Sequence, residues 1–334
     1  MKKTILYTLF GLLALSSCTK DEEPIQPSGN YSVLRFDFPQ GNHPYDDDIV
    51  KIKEIYDTYL IYKDITPQDL NRQWQGLGTG SLKACDPVAE EDVAFYVDFM
   101  KDHVFSYMTP EAVRKAMPVK IYLVQNLRDV AADSDGSEDN SSSSSGTGPA
   151  TDNSPVTVKT DGFDYWALSF TPEGLANRDE AGMRFARCKF LYVIIKACYL
   201  DGVIEEPLDI RNKITWYNTD GTYKALESDP RSPNYSWERG FPDRVVEKDF
   251  KEYFNHYITQ WMREFNAYSV EYDWFLNYCR MAMFYGRDYI EKKYEEYPLV
   301  IDIYNDIVTL MQDRYGIDLE GIYQGPQGQT SETE

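Results

Sequence analysis

Apolar and polar residues alternate through Leu34, Phe36 and Phe38 in a run rich in strand formers over 31–38 (YSVLRFDF), and this predicts a first strand. Pro39, Gln40, Gly41 and Asn42 then read as a turn. Asp46, Asp47 and Asp48 stand before a predicted helix over 49–56, where carboxylates favour the positive end of the helix dipole. Further strands are predicted at 59–63 (YLIYK), 118–127 (PVKIYLVQNL) and 162–170 (GFDYWALSF). Residues 66–87 show little period and many Pro, Gly, Gln and Asn, and read as loop.

Helical spacing appears at 90–107, through Val93, Val97, Met100 and Val104. It returns at 180–200, which beyond Cys188 is apolar nearly all round and is therefore expected to be central. The clearest stripe runs through 247–268, with Phe250, Tyr253, Phe254, Tyr257, Trp261 and Phe265 on one face. Two more amphipathic helices are predicted at 273–293 and 298–315, and a strand at 213–217 within a mixed loop. Strands early and helices late, without βαβ alternation, predict an α+β fold class.

The ends and one internal segment break this pattern. Lys2 and Lys3 precede an apolar run at 5–15 that is too short to span a bilayer, the form of a secretory signal over 1–17. It ends in Leu15-Ser16-Ser17-Cys18, which resembles a bacterial lipobox and makes Cys18 the expected lipidation site, palmitate among its acyl chains. Several acyl chains bury enough CH₂ groups for stable anchoring. Residues 18–30, polar and Pro-containing, read as a tether, and the acids Asp21, Glu22 and Glu23 resemble a surface-export signal of outer-membrane lipoproteins. Residues 131–157 hold a serine run and no aromatic residue, so they read as a disordered insertion in one domain spanning 31–323. Residues 324–334 read as a polar tail.

Composition narrows the function classes. A formal net charge of -21 argues against nucleic acid as a partner, because phosphate recognition needs a basic footprint. The 27 tyrosines suit half-wet surfaces, sugar stacking and large amphipathic cores alike. Beyond Cys18 lie Cys85, Cys188, Cys198 and Cys279. Cys188 and Cys198 fall ten residues apart on one predicted helix, roughly 15 Å, too far to pair, so buried free thiols are expected.

A set of short runs in order carries a resemblance. Phe38-Pro39-Gln40-Gly41-Asn42, Asp48-Ile49-Val50, residues 59–63 and 117–121, Gly162-Phe163, Gly240-Phe241, Asp249-Phe250 with Glu252, and residues 315–319 together resemble the zinc-binding metallopeptidase lipoproteins of gut bacteria. That resemblance implies a zincin-like, gluzincin-type domain with N-terminal strands and a mainly helical C-terminal half. It also implies HExxH on the long helix and an acidic third ligand on the next. The motif needs two His at i and i+4 to hold Zn²⁺, with the Glu between as general base on bound water.

Laid over this chain, the family motif falls on Cys188 and Tyr192 for the histidines, Lys189 for the base and Lys248 for the third ligand. A lysine neither binds Zn²⁺ as an ammonium nor accepts the proton that the glutamate takes. The resemblance therefore implies a degenerate member with no metal and no catalytic residue. Its expected role is a pseudoenzyme, a binding or accessory component of a cell-surface complex, with a protein or glycan partner. An active zinc-dependent peptidase with an atypical site and a structural outer-membrane lipoprotein are the alternatives.

The chain has three histidines, His43, His103 and His256, and no HxxxH. Glu252 and His256, four apart, with Cys188 would be the atypical ligand set. His103 is expected to close a helical turn and His43 to sit in a turn. No GxSxG elbow or phosphate-binding glycine loop occurs.

Overall fold

The computed structural model describes residues 34–72, 82–130, 156–160, 162, 164–176, 178–216, 226–243 and 267–326. Contacts divide the chain into Met1–Asp37 and Phe38–Glu334. In the first unit, residues 34–37 run through bends, and the Arg35 guanidinium folds over the Phe36 ring at 4.2 Å. Of the strand expected over 31–38, residues 34–38 form none, and 31–33 lie outside the described residues.

The second unit is a mixed α+β fold. In chain order its elements are α1 (Pro44–Tyr56), β1 (Tyr59–Ile61), α2 (Pro67–Leu70), β2 (Leu82–Pro87), α3 (Glu90–Asp98), α4 (Pro110–Ala116), β3 (Lys120–Val130), β4 (Val156–Lys159) and β5 (Tyr165–Phe170). Then follow α5 (Pro172–Ala176), α6 (Glu180–Leu200), α7 (Leu208–Arg211), α8 (Ala267–Phe284), α9 (Arg287–Lys293), α10 (Pro298–Tyr315) and α11 (Leu319–Gln324). A π-helical turn, Phe99–Val104, and a 3₁₀ turn, Phe105–Tyr107, continue α3.

β3 organises the sheet. One edge pairs in parallel with β5, from Lys120 opposite Tyr165 to Gln125 opposite Phe170. The other edge is shared in succession by β1, parallel, and β2, antiparallel. β4 closes the far side, antiparallel to β5. Every residue of β5 is buried, as a central strand covered on both faces requires. Just past the end of the β5 pairing, Asn126 takes a positive φ of 50°, and its side chain donates to Asp86 at 2.8 Å. Asparagine tolerates that left-handed conformation better than most residues, and the β2–β3 register shifts at the same place.

Several predicted elements change. β2 and β4 were expected as loop and as disordered insertion, and Val156 and Thr157 in fact begin a strand. Neither has a strong alternation of its own; each is held by hydrogen bonds to a neighbour. No strand forms over 213–216. The helix expected over 273–293 is two, α8 and α9, broken before Gly286. α1 starts earlier than expected, so Asp46 lies in its first turn, where its carboxylate accepts from the His43 amide at 2.9 Å and from the Tyr62 hydroxyl at 2.9 Å. His43 is thus the N-cap of α1.

α6 is the core helix and follows its predicted bounds. Asp179 caps it by accepting from the Gly182 amide at 2.8 Å. Phe185, Phe190, Leu191, Ile194 and Ile195 are buried on it. α8 runs antiparallel alongside: Phe185 meets Phe284, Tyr192 meets Arg280 and Tyr199 meets Phe275. No helix among the described residues is long and apolar enough to cross a membrane.

Candidate functional site

Of the expected motif positions, Cys188 and Tyr192 face α8. Cys188 is fully buried, and its thiol donates to the Met283 carbonyl at 2.9 Å. Burial pushes the thiol up to about 12, against the opposing pull of Arg187 and Arg184. Metal binding requires a thiolate, and this sulfur is held protonated at neutral pH by a packed interior with a carbonyl as its partner. One turn on, the half-buried Tyr192 ring lies 4.6 Å from the Arg280 guanidinium. The Lys189 ammonium, also half-buried, stands 5.8 Å from the Phe185 ring.

These residues do not fit zinc. The two helical positions for histidine are a hydrogen-bonded thiol and a phenol stacked under a cation, and the position for the base is a second cation. A divalent ion would meet two positive charges in a low-dielectric seam, where like charges repel most. Among the described residues no group of three or more His, Cys, Asp or Glu is arranged to hold a metal. Lys248, Glu252 and His256 lie outside the described residues, as do Cys18, the signal and tether segments, and 131–155 of the insertion. The helix expected over 247–268 also lies outside them, apart from its last two residues, which begin α8.

On α6, beside Cys188, is a site that the pattern of the sequence did not disclose. Arg187 is fully buried. Its Nε donates to the Ile322 carbonyl at 2.6 Å and Nη2 to the Tyr323 carbonyl at 3.2 Å, both on α11. Nη1 lies 3.0 Å from Nδ1 of His103, which is 9% exposed. A guanidinium only donates, so Nδ1 accepts and the imidazole proton resides on Nε2. Glu180 adds a longer ionic contact, 3.6 Å from Nη2.

The π-helical turn carries His103 to this contact. Phe99, Met100, His103 and Val104 are buried along it, and Phe99 stacks on the imidazole with ring centroids 5.6 Å apart. Burial first, and then the Arg187 charge, push the His103 imidazole down to about 4. His103 is therefore a buried acceptor rather than the closing residue of a helical turn. Arg187 lies between Arg184 and Lys189 on α6, so no local signal marked it as the buried one.

The remaining thiols among the described residues are free. Cys198 and Cys279 are buried and Cys85 is half-buried. An open cavity of about 630 Å³ lies between α4 and the end of α10, lined by Thr109, Glu111, Arg114, Val203, Arg314 and Tyr315. Its cations have partners: Lys115 pairs with Glu111, Arg314 with Glu205, and Arg114 donates to the Ile55 carbonyl.

No protein-family model matches the chain, and no curated protein matches it. Among solved structures, the chain is similar to the crystal structure of a "putative zinc-binding metallo-peptidase" from Bacteroides caccae. The TM-score is 0.44 and the identity 11%, over 84% of this chain and 88% of the other. A likeness at that level assigns no chemistry.

Proposed function

We propose that this chain is an exported lipoprotein, anchored through Cys18, whose zincin-like domain has lost its metal site and acts by binding. In this reading it is an accessory component of a complex at the outer membrane, displayed on the cell surface, with a protein or glycan as partner. The observation that carries it is the state of Cys188: a buried, protonated thiol engaged by the Met283 carbonyl where a metallopeptidase keeps a ligand. Lys189 and the Tyr192–Arg280 pair support it, because they place positive charge around the same seam.

Zinc content and cleavage decide between this reading and an enzyme. The purified mature chain, loaded with excess Zn²⁺ and desalted, is expected to retain well under one zinc per chain and to leave peptide substrates intact. One tightly held zinc together with chelator-sensitive cleavage would overturn it. Anchoring is tested separately by metabolic labelling with a palmitate analogue: label is expected in the wild type and lost in Cys18→Ala. Protease shaving of intact cells tests display.

A further inference from the structure

Buried cations normally carry a full set of acceptors, because an unpaired one costs several kcal/mol. Arg187 meets that need with groups far apart in sequence: two carbonyls of α11 and one imidazole of the π-helical turn. The two carbonyls cannot lose their acceptor character. The imidazole can, since protonation of Nδ1 turns it into a donor facing a donor. α11 is also fitted closely to this arginine. Gly325, just past its end, has φ 86°, and a Cβ there would lie 3.0 Å from Nη2.

We propose that His103, Arg187 and the turn at residues 322–325 form a proton-operated latch: proton uptake on Nδ1 of His103 expels the imidazole from Arg187 and releases the carboxy-terminal turn while the sheet stays folded. The proton comes from solvent and no covalent bond changes. This inference is independent of the proposed function, since it uses none of the motif positions.

The surrounding charges set the direction. From α6, Arg187 faces His103 directly, with Arg184 and Cys188 nearby and Glu180 at the helix start. Tyr107, on the 3₁₀ turn, feels Arg187, Glu180, Asp318 and Cys188 together, and burial raises its phenol. From α11 and its cap come Glu320, engaged by Tyr304 and Arg287, and Asp318, whose carboxylate accepts from the Gly321 amide. Lys101, Asp98 and Asp102 lie on the helical run that carries His103, with Lys101 paired to Asp98 and Asp48. Glu180 is the carboxylate in ionic contact with Arg187, and its side chain is 57% exposed. A second cation at 3.0 Å from the guanidinium is therefore opposed by one solvent-screened charge.

The test is hydrogen–deuterium exchange of the full mature chain between pH 7.5 and 4, read as protection factors. The amides of Ile322 and Gly325, which donate to the carbonyls of Asp318 and Gly321, are expected to lose roughly 50-fold in protection between pH 7 and 4.5, the factor that follows from an imidazole at the ordinary value when open and near 4 when closed. The amides of β3 and β5 are expected to stay protected. In His103→Gln, a neutral acceptor that does not titrate, the pH response at 322–325 is expected to vanish. An unchanged response in that variant, or sheet and turn opening together, would overturn the latch. A second measurement does not depend on the variant: ring ¹⁵N NMR of wild-type His103 is expected to show the Nε2–H tautomer and titration near 4. Titration at the ordinary histidine value would overturn the proposal.

Discussion

Arg187 and Arg280 sit on the packed pair α6 and α8 and are provided for very differently. Arg187 is fully buried and binds two carbonyls, an imidazole and, more distantly, a carboxylate. Arg280 is half-buried, lies over the Tyr192 ring, and has a buried Nε without a hydrogen-bond partner among the described residues. Side chains with several fixed acceptors hold remote segments in one geometry. A guanidinium on an aromatic face is held by a weaker and less directional attraction. The contrast separates the part of α6 that is tied to remote segments from the part that meets α8 through a ring contact.

Removing Arg187 is the strongest way to break the comparison. Arg187→Met leaves the Ile322 and Tyr323 carbonyls and the His103 nitrogen unpaired in the interior. It is expected to lower stability by about 3–5 kcal/mol, read as the shift of the urea midpoint at unchanged slope. A stability loss under about 1 kcal/mol would mean that the network holds nothing together.

Acid comes next. The folded His103 titrates near 4, below the ordinary 6.5, so folding favours the neutral ring. Its contribution is fully present above the unfolded value of about 6.5 and is lost as pH falls toward 4, below which both states carry the proton. The loss amounts to up to about 3 kcal/mol. His103→Gln is expected to flatten this part of a stability–pH curve measured by denaturant titration, leaving only the slope of the carboxylates.

Gly325→Ala forces a side chain into positive φ and toward Nη2, and is expected to lose about 1–3 kcal/mol. Its effect should be confined to amides near α11, which exchange would localise. Smallest is Arg280→Met, expected to change stability by less than about 1 kcal/mol in either direction, since among the described residues it removes a ring contact and no ion pair. A loss of several kcal/mol in thermal or urea unfolding would show that the motif face is as firmly built as the Arg187 face, and the comparison would fail.

Much of the fold was legible because burial imposes a period. α6 and α10 kept their predicted bounds, and 118–127 and 162–170 were seen as strands, since their apolar runs reflect packing that the residues themselves record. β2 and β4 were missed because LKACDP and VTVK owe their shape to partners across the sheet. α4 and α11 were missed for being shorter than two full heptads of period, although Thr109 and Asp318 cap them by accepting from Ala112 and Gly321. Of the candidate site, the residue types at 188, 189 and 192 were readable as letters. That the Cys188 thiol is turned to the Met283 carbonyl was not.

The sequence by itself determined the residue types available: which apolar faces must be buried, and that a cysteine, a lysine and a tyrosine stand at 188, 189 and 192. Only the tertiary structure decided that Arg187 meets His103, 84 positions away, and the carbonyls of Ile322 and Tyr323, about 135 positions away. The reason is physical. Periodicity records a residue's exposure to water, whereas a buried charge is satisfied by whichever donors and acceptors the packed chain brings within about 3 Å, and that distance leaves no trace in local spacing.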